Sequence, residues 1–256
     1  MLRAMFPIGD ENERGHGPAF VSLAIIALNV FVFLVLQGAG GTQEGTDFTY
    51  GYSAVPFEIT RGVDLTEPES VTVDGQTVEV PQEPGPDPIW LTLFTSIFMH
   101  GGWLHLAGNM LFLWVFGDNV EHRVGHAAYL VFYLVVGLIA SFAQILVNTG
   151  SVIPTLGASG AISGILGAYI VMFPTNRVNV FLFRAVVAVP AIVAIGMWIV
   201  LQLIAGFGGG LTGEGGGVAY MAHIGGFFAG VAAGLLFRAI FHEPRRPRGA
   251  PASAYG

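Results

Sequence analysis

The sequence contains no cysteine. That absence removes a thiol nucleophile, thiolate zinc sites and disulfides together, and it leaves the redox compartment open. It also makes serine the nucleophile to look for. There is no lysine either: all ten basic residues are arginine. Charge as a whole is scarce, at 11% of residues, against about 25% in soluble domains. With a mean hydropathy of +0.67, an ordinary soluble domain is excluded. No basic patch with interleaved aromatics marks a nucleic-acid surface. The partner this composition implies is the lipid bilayer, and no nucleic acid is expected.

What the sequence does have is long apolar runs, several of them near the roughly 20 residues a helix needs to cross the hydrocarbon core. Six are expected as spans, at 18–37, 91–116, 126–147, 156–173, 180–204 and 218–241. The first is longer than the roughly 7–15 apolar residues of a signal peptide, so an uncleaved helix is expected. Between the first two lies a polar insert, 38–89, rich in Pro, Gly, Asp and Glu. Within it, Asp74-Gly75 suits a type I′ turn, predicting a hairpin with Val71 opposite Val78. A polar link is expected at 117–125. Pro174 closes the fourth run, and Pro190 is expected to kink the fifth. A glycine-rich loop occupies 206–217, and the basic, proline-rich stretch 243–256 is expected to be disordered. No internal repeat of transporter type is present.

The arginines orient these spans. Arg3, Arg14, Arg123, Arg177, Arg184, Arg238, Arg245, Arg246 and Arg248 fall on one side of a six-span chain, and Arg61 falls on the other. The positive-inside rule then predicts both termini in the cytoplasm and the insert outside. The division that follows is a cytoplasmic N-terminal tail, 1–17, a membrane domain, 18–242, and a cytoplasmic C-terminal tail, 243–256. The membrane expected is the plasma (inner) membrane of a prokaryote.

The same topology sets the depth of the polar residues inside the spans. Ser159 lies near the outer end of the fourth, His223 about five residues into the sixth, and His105 and Asn109 in the outer half of the second. A buried hydroxyl without a partner costs roughly 1–3 kcal/mol. A histidine at such depth marks a functional site by default. His223, Gly226, Gly230 and Gly234 share one helix face, and Ser159 and Gly160 lie on or beside the face of Ser163, Gly164 and Gly167. Small-residue faces let helices approach closely in lipid, as a serine hydroxyl must to reach an imidazole. His105 and Asn109, four apart, could donate to a developing oxyanion beside the Ser159 main-chain N–H. The competing metal reading, with His100, is weaker. His100 sits about 140° around a helix from His105 and lacks a nearby carboxylate or thiolate. It reads as a structural hydrogen-bonding residue. His122 and His126, with Glu121 and Arg123, read as a solvated boundary cluster. Trp103 and Trp198 read as interface anchors or core residues, and His16 and His242 carry no signal.

Three stretches resemble the rhomboid intramembrane serine proteases. They are His100-Gly101-Gly102-Trp103-Leu104-His105-Leu106-Ala107-Gly108-Asn109, Gly157-Ala158-Ser159-Gly160, and Ala222-His223-Ile224-Gly225-Gly226-Phe227-Phe228-Ala229-Gly230. The resemblance runs from about Trp90 to Phe241. It implies an all-α, polytopic, six-transmembrane-helix bundle with Ser159 as nucleophile and His223 as general base, without a third carboxylate. It implies an oxyanion hole of His105, Asn109 and the Ser159 N–H, with Gly226 and Gly230 as close-packing glycines beside Gly160 and Gly164. The activity implied is a serine endopeptidase acting through an acyl-enzyme on transmembrane protein substrates, with no metal, nucleotide or other cofactor. The sequence differs from some members in lacking a Trp-Arg pair between the first two spans. It also carries Ser163 where some have a tyrosine packing under the histidine. A catalytically dead scaffold or chaperone for transmembrane helices is the rival reading, disfavoured because all four polar site residues are present. A transporter is a weaker third. Oligomeric state is left open.

Overall fold

The computed structural model describes residues 6–11, 17–73, 75–182, 185–207 and 218–241. Arg3, Arg14, His16, Asp74, Arg184, most of the glycine-rich loop (208–217), His242 and the basic stretch 243–256 lie outside the described residues. The described chain is mostly helical, and its elements follow the apolar pattern with two corrections.

Residues 6–11 are not part of a bare polar tail. Phe6–Asp10 forms a strand, β1, and the Glu11 N–H continues its pairing to the Arg177 carbonyl. Helix α1 runs over Phe20–Phe31 and continues as a π-helical turn, Val32–Leu36. Its first turn leaves N–H groups without intrahelical acceptors. The Glu121 carboxylate takes them, accepting from Val21 N–H and Ser22 N–H at 2.8 Å each and from Ser22 Oγ at 2.7 Å. A negative charge at a helix N-terminus is also favoured by the helix dipole. His126 Nδ1 lies 2.5 Å from the same carboxylate. Glu121 is fully buried, so the solvated cluster expected around it is instead a cap joining two helices.

The insert folds. Thr42 caps α2 (Gln43–Tyr52), its hydroxyl accepting from Gly45 N–H at 3.1 Å. Helix α3 (Pro56–Arg61) has proline in its first turn and left-handed Gly62 after its last, the arrangement each residue favours. Strands β2 (Glu69–Val73) and β3 (Gln76–Val80) pair antiparallel with Val71 opposite Val78, the register the Asp-Gly turn predicts. The insert packs on the segment leading to Ser159. Ala54 bridges Thr155, Phe57 N–H donates to the Ser151 carbonyl, and Gln82 Nε2 donates to the Val152 carbonyl at 2.8 Å.

A short α4 (Thr92–Thr95), flanked by 3-10 turns, precedes α5 (Trp103–Val124). Here the expected span is corrected: the long helix starts twelve residues after Leu91 and runs on through the expected polar link. The break is Gly102, whose φ of +154° an L side chain rarely adopts. The continuation stands because its polar residues find partners. Glu121 caps α1, and Asn119 Nδ2 donates to Asp10 Oδ2 at 2.7 Å. Helices α6 (His126–Val147) and α7 (Ser159–Met172) match the third and fourth runs closely.

The second correction is the fifth run. It opens not as a helix but within a hairpin, β4 (Arg177–Leu182) and β5 (Ala185–Pro190), and only then comes α8 (Ala191–Phe207). Alternating valines favour a strand, and Pro190 ends β5 rather than kinking a helix. The sheet order is β1-β4-β5, all antiparallel. Helix α9 (Tyr220–Ile240) follows.

By length and composition, α6 and α9 can cross a membrane. The stretches Phe20–Leu36, Ile89–Phe98, α7 and α8 are shorter apolar helices. The expected count of six spans is therefore not given by helix length alone. Helix α7 is the centre: every residue from Gly160 to Tyr169 is buried, as expected of a helix apolar on all faces.

Candidate active site

Glycine brings the two site helices together. A Cβ added to Gly226 would overlap the Gly160 carbonyl oxygen, and one on Gly230 would overlap that of Gly164. The α9 backbone therefore lies directly against α7, with no room for a methyl group. The α7 glycines face elsewhere as well. A Cβ on Gly160 would come 2.6 Å from Ala140 Cβ, and one on Gly164 would collide with Val136, both on α6. Helix α7 is thus clamped on two sides through the same small residues.

At the top of this contact Ser159 Oγ and His223 Nε2 are 2.8 Å apart. Ser159 is the first residue of α7, so its main-chain N–H has no intrahelical acceptor and projects from the helix N-terminus. Ser163 Oγ donates back to the Ser159 carbonyl at 2.6 Å, tying the first turn. The level of His223 is set by Gln144 of α6, whose Oε1 accepts from Met221 N–H at 3.1 Å and Ala222 N–H at 3.3 Å. That amide caps α9 one residue before the histidine. The other ring nitrogen, Nδ1, lies 2.7 Å from Gln202 Oε1 on α8. Trp198, one turn earlier on α8, has its ring centroid 6.0 Å from the imidazole. Trp198 is therefore a site wall, while Trp103 is exposed and packs edge-on to Phe33.

His105 and Asn109 follow from α5. Gly101 N–H donates to His105 Nδ1 at 3.2 Å, which makes Nδ1 the acceptor and leaves the proton on Nε2. A point beside Gly157, where a Cβ would be, lies 3.0 Å from His105 Nε2 and 3.5 Å from Ser159 Oγ. Gly157 has φ +132° and no side chain, so this space between donor and hydroxyl stays open. Asn109 is buried, and its Nδ2 finds no acceptor within the protein. Buried donors are nearly always paired, and this one lies one turn along α5 from His105.

His100 does not hydrogen-bond through its ring. Both ring nitrogens are buried without a partner, and the ring meets His105 edge-on at 5.1 Å. Its backbone is what is held: Gln37 accepts from His100 N–H at 2.9 Å and donates to its carbonyl at 3.0 Å. Among the described residues no group of three His, Asp or Glu side chains is arranged to hold a metal ion.

Behind Ser159 is a small cavity of about 30 Å³, with Ser96, Ser141, Gln144 and Thr155 among its lining. It is large enough for about one water molecule.

Sequence reasoning missed Gln37, Gln144 and Gln202. The signal was available, since each is the lone glutamine of an apolar run, and a polar side chain at that depth needs a partner. Which partner depends on helix rotation, and the sequence does not set that.

A family model for the Rhomboid domain matches residues 88–240. The chain is 31% identical over 218 residues to Rhomboid protease GluP of Bacillus subtilis, covering 85% of this chain and 35% of that protein. It is 30% identical over 163 residues to Rhomboid protein 1, mitochondrial, of Saccharomyces cerevisiae, covering 62% of this chain and 45% of that protein. Presenilin-associated rhomboid-like protein, mitochondrial, of Homo sapiens is 34% identical over 134 residues, or 47% of this chain and 35% of that protein. The chain spans less than half the length of each of these relatives. The expectation of a prokaryotic plasma membrane gains no support from them, since two of the three are mitochondrial.

Proposed function

The chain belongs to the membrane-embedded rhomboid family, and on that premise we propose that it is a serine endopeptidase hydrolysing peptide bonds in or next to transmembrane segments of membrane-protein substrates. The observation that carries the reading is the 2.8 Å contact between Ser159 Oγ and His223 Nε2. His223 takes the hydroxyl proton as Oγ attacks the substrate carbonyl. The oxyanion forms in the space beside Gly157, where His105 Nε2–H, the Ser159 N–H and the unpaired Asn109 amide are the donors. The protonated His223 then delivers its proton to the leaving amine, giving an acyl-enzyme. Water enters for the second half-reaction, with His223 again the base. The cavity behind Ser159 is of a size to supply it. A substrate helix must unwind locally first, because its carbonyls are otherwise bonded within the helix.

The membrane arrangement proposed with this chemistry has six spans. The arginine-rich side, with both termini, is cytoplasmic, and Ser159 opens toward the opposite face. The short α7 and the non-helical start of the fifth run fit spans of unequal length, with β1, β4 and β5 at the cytoplasmic surface.

The test is labelling with a serine-directed fluorophosphonate and cleavage of a transmembrane reporter, comparing the intact protein with Ser159→Ala. Label and cleavage should both vanish in the variant, with turnover down by about 10⁴-fold or more. A folded wild-type protein that takes no Ser159-dependent label would favour a helix-binding scaffold instead.

A further inference from the structure

A histidine can serve as base only in the right tautomer. If Nε2 is to accept the Ser159 proton, Nδ1 must carry the ring hydrogen, and in water the neutral ring does not hold to one form. The structure places one acceptor at Nδ1: Gln202 Oε1, at 2.7 Å. An amide oxygen accepts and cannot donate, so this contact requires Nδ1–H and frees Nε2 for the 2.8 Å contact to Ser159 Oγ. Gln202 comes from α8, a different helix from either dyad member. Trp198 lies on the same α8 face at i−4, its ring against the same imidazole. The ring is therefore held at its edge by an amide and on its side by an indole. Ser163, one turn after Ser159, donates its hydroxyl to the Ser159 carbonyl. It does not brace the histidine.

We propose that Gln202 is the positioning residue of the dyad: its side-chain oxygen fixes the Nδ1–H tautomer of His223 and, with Trp198, orients the ring toward Ser159. This rests on the reading of Ser159 and His223 as nucleophile and base. A neutral amide does part of what a third carboxylate does in a triad, fixing tautomer and orientation without adding charge beside the imidazolium. Among the described residues, the titratable side chains bearing on His223 are His105 from α5 and Tyr220 from its own helix, and no carboxylate does so.

The experiment uses the full chain in detergent or liposomes, with two independent readouts. The first is the ring ¹⁵N chemical shifts of His223, assigned by loss in His223→Ala. Wild type should show the Nδ1–H form, and Gln202→Met, close in volume but without an acceptor, should show a mixture of tautomers. The second is kinetics. Gln202→Met should lower kcat roughly 10- to 100-fold, about the value of one lost buried hydrogen bond, with KM within about twofold. The rate of fluorophosphonate labelling should fall in parallel. Gln202→Glu restores an acceptor and adds a charge that favours the imidazolium. It should recover turnover at higher pH, with the acid limb of the pH–rate profile moved up by about one unit. Wild-type kcat in folded Gln202→Met, or an unchanged tautomer in that variant, overturns the proposal. If Gln202→Met does not fold, Gln202→Glu decides, because an unshifted acid limb also overturns it. Should wild type take no label, the dyad reading fails, and the tautomer readout still judges the role of Gln202 separately.

Discussion

At one end of α7, Ser159 faces His223, with His105 Nε2 beside a glycine that keeps a space open, and one turn along α5 from His105 the buried Asn109 amide has no acceptor. At the other end, Tyr169 OH donates to Asp10 Oδ2 at 2.5 Å, and Asn119 Nδ2 donates to the same oxygen at 2.7 Å. Nearby, Glu121 accepts from Val21, Ser22 and His126. Both clusters put polar groups on or beside one buried helix. The second is saturated, each carboxylate being matched by several donors, and its work is to tie β1, α1, α5 and α7 together. On the function proposed above, the first leaves the Asn109 amide and His105 Nε2 to a reacting carbonyl oxygen. An unmatched buried polar group is not by itself a mark of chemistry, since Asn29, His100 and Tyr133 also bury polar atoms without a hydrogen-bond partner. What sets the first end apart is the Ser159–His223 contact.

The largest effect that sharpens this contrast is expected from Gly230→Leu. The side chain has nowhere to go but into the Gly164 carbonyl. Helices α7 and α9 should separate, Ser159 should lose His223, and reporter cleavage should disappear although no site group is altered. Retained turnover would mean that the glycine contact does not set the dyad distance.

Next is Asn109→Ala at the unsaturated end. The amide donates to charge that develops only on attack, so kcat should fall by roughly 10²–10³-fold with substrate binding nearly unchanged. Thermal stability should hold or rise slightly, since a buried unpaired group is removed. Weakened binding with intact kcat would make Asn109 a packing residue, and the contrast between the two ends would rest on the Ser159–His223 contact and His105.

Glu121→Gln at the saturated end should do the reverse. It should cost stability on the order of 1.5–3 kcal/mol, the value of hydrogen bonds to a charged group, and lower Tm in detergent. The kcat of the folded fraction should stay within about twofold. A matching loss of kcat at unchanged Tm would show the two ends to be coupled.

The smallest effect is in the pH dependence of stability. Burial pushes the Asp10 carboxyl up from 3.8 to about 6, opposed by its hydrogen bond from Tyr169 and reinforced by the nearby Asp118 charge. The folded state then holds a proton that the unfolded chain has released between about pH 4 and 6. Its contribution to stability should fall as pH rises through that window, by at most about 1.4 kcal/mol per pH unit, and flatten above it. Burial also pushes the Glu58 carboxyl up, from 4.5 to about 7, which adds a slope of the same sign. Asp10→Asn should therefore reduce the slope below about pH 6 and leave the Glu58 share, read as Tm against pH. An unchanged slope would exclude Asp10 as a source.

Much of the site could be read from residue type and spacing. Ser159 and His223 stand out because polar groups in apolar runs need partners, and the spacing of Gly226 and Gly230 from His223 puts all three on one face. The register of the insert hairpin followed from Asp74-Gly75. Less legible were the segments whose structure depends on something distant. The run 180–204 is apolar throughout, and hydropathy alone does not separate a strand from a helix. Its first part is a strand because β1, from the other end of the chain, pairs with it. Residues 117–124 were polar enough to look like a link, yet they are helical because α1 and β1 supply partners for Glu121 and Asn119.

The sequence by itself determined that the chain is a membrane protein, which helices carry the serine and the histidine, and which glycines allow them to meet. These are local matters of hydropathy, period and side-chain size. The tertiary structure alone decided which way each lone polar side chain faces. Gln202 reaches His223, Gln144 caps α9, and Gln37 holds the backbone of His100. Each depends on the rotation and height of a neighbouring helix. Those are fixed by packing over the whole bundle, and no stretch of sequence encodes them locally.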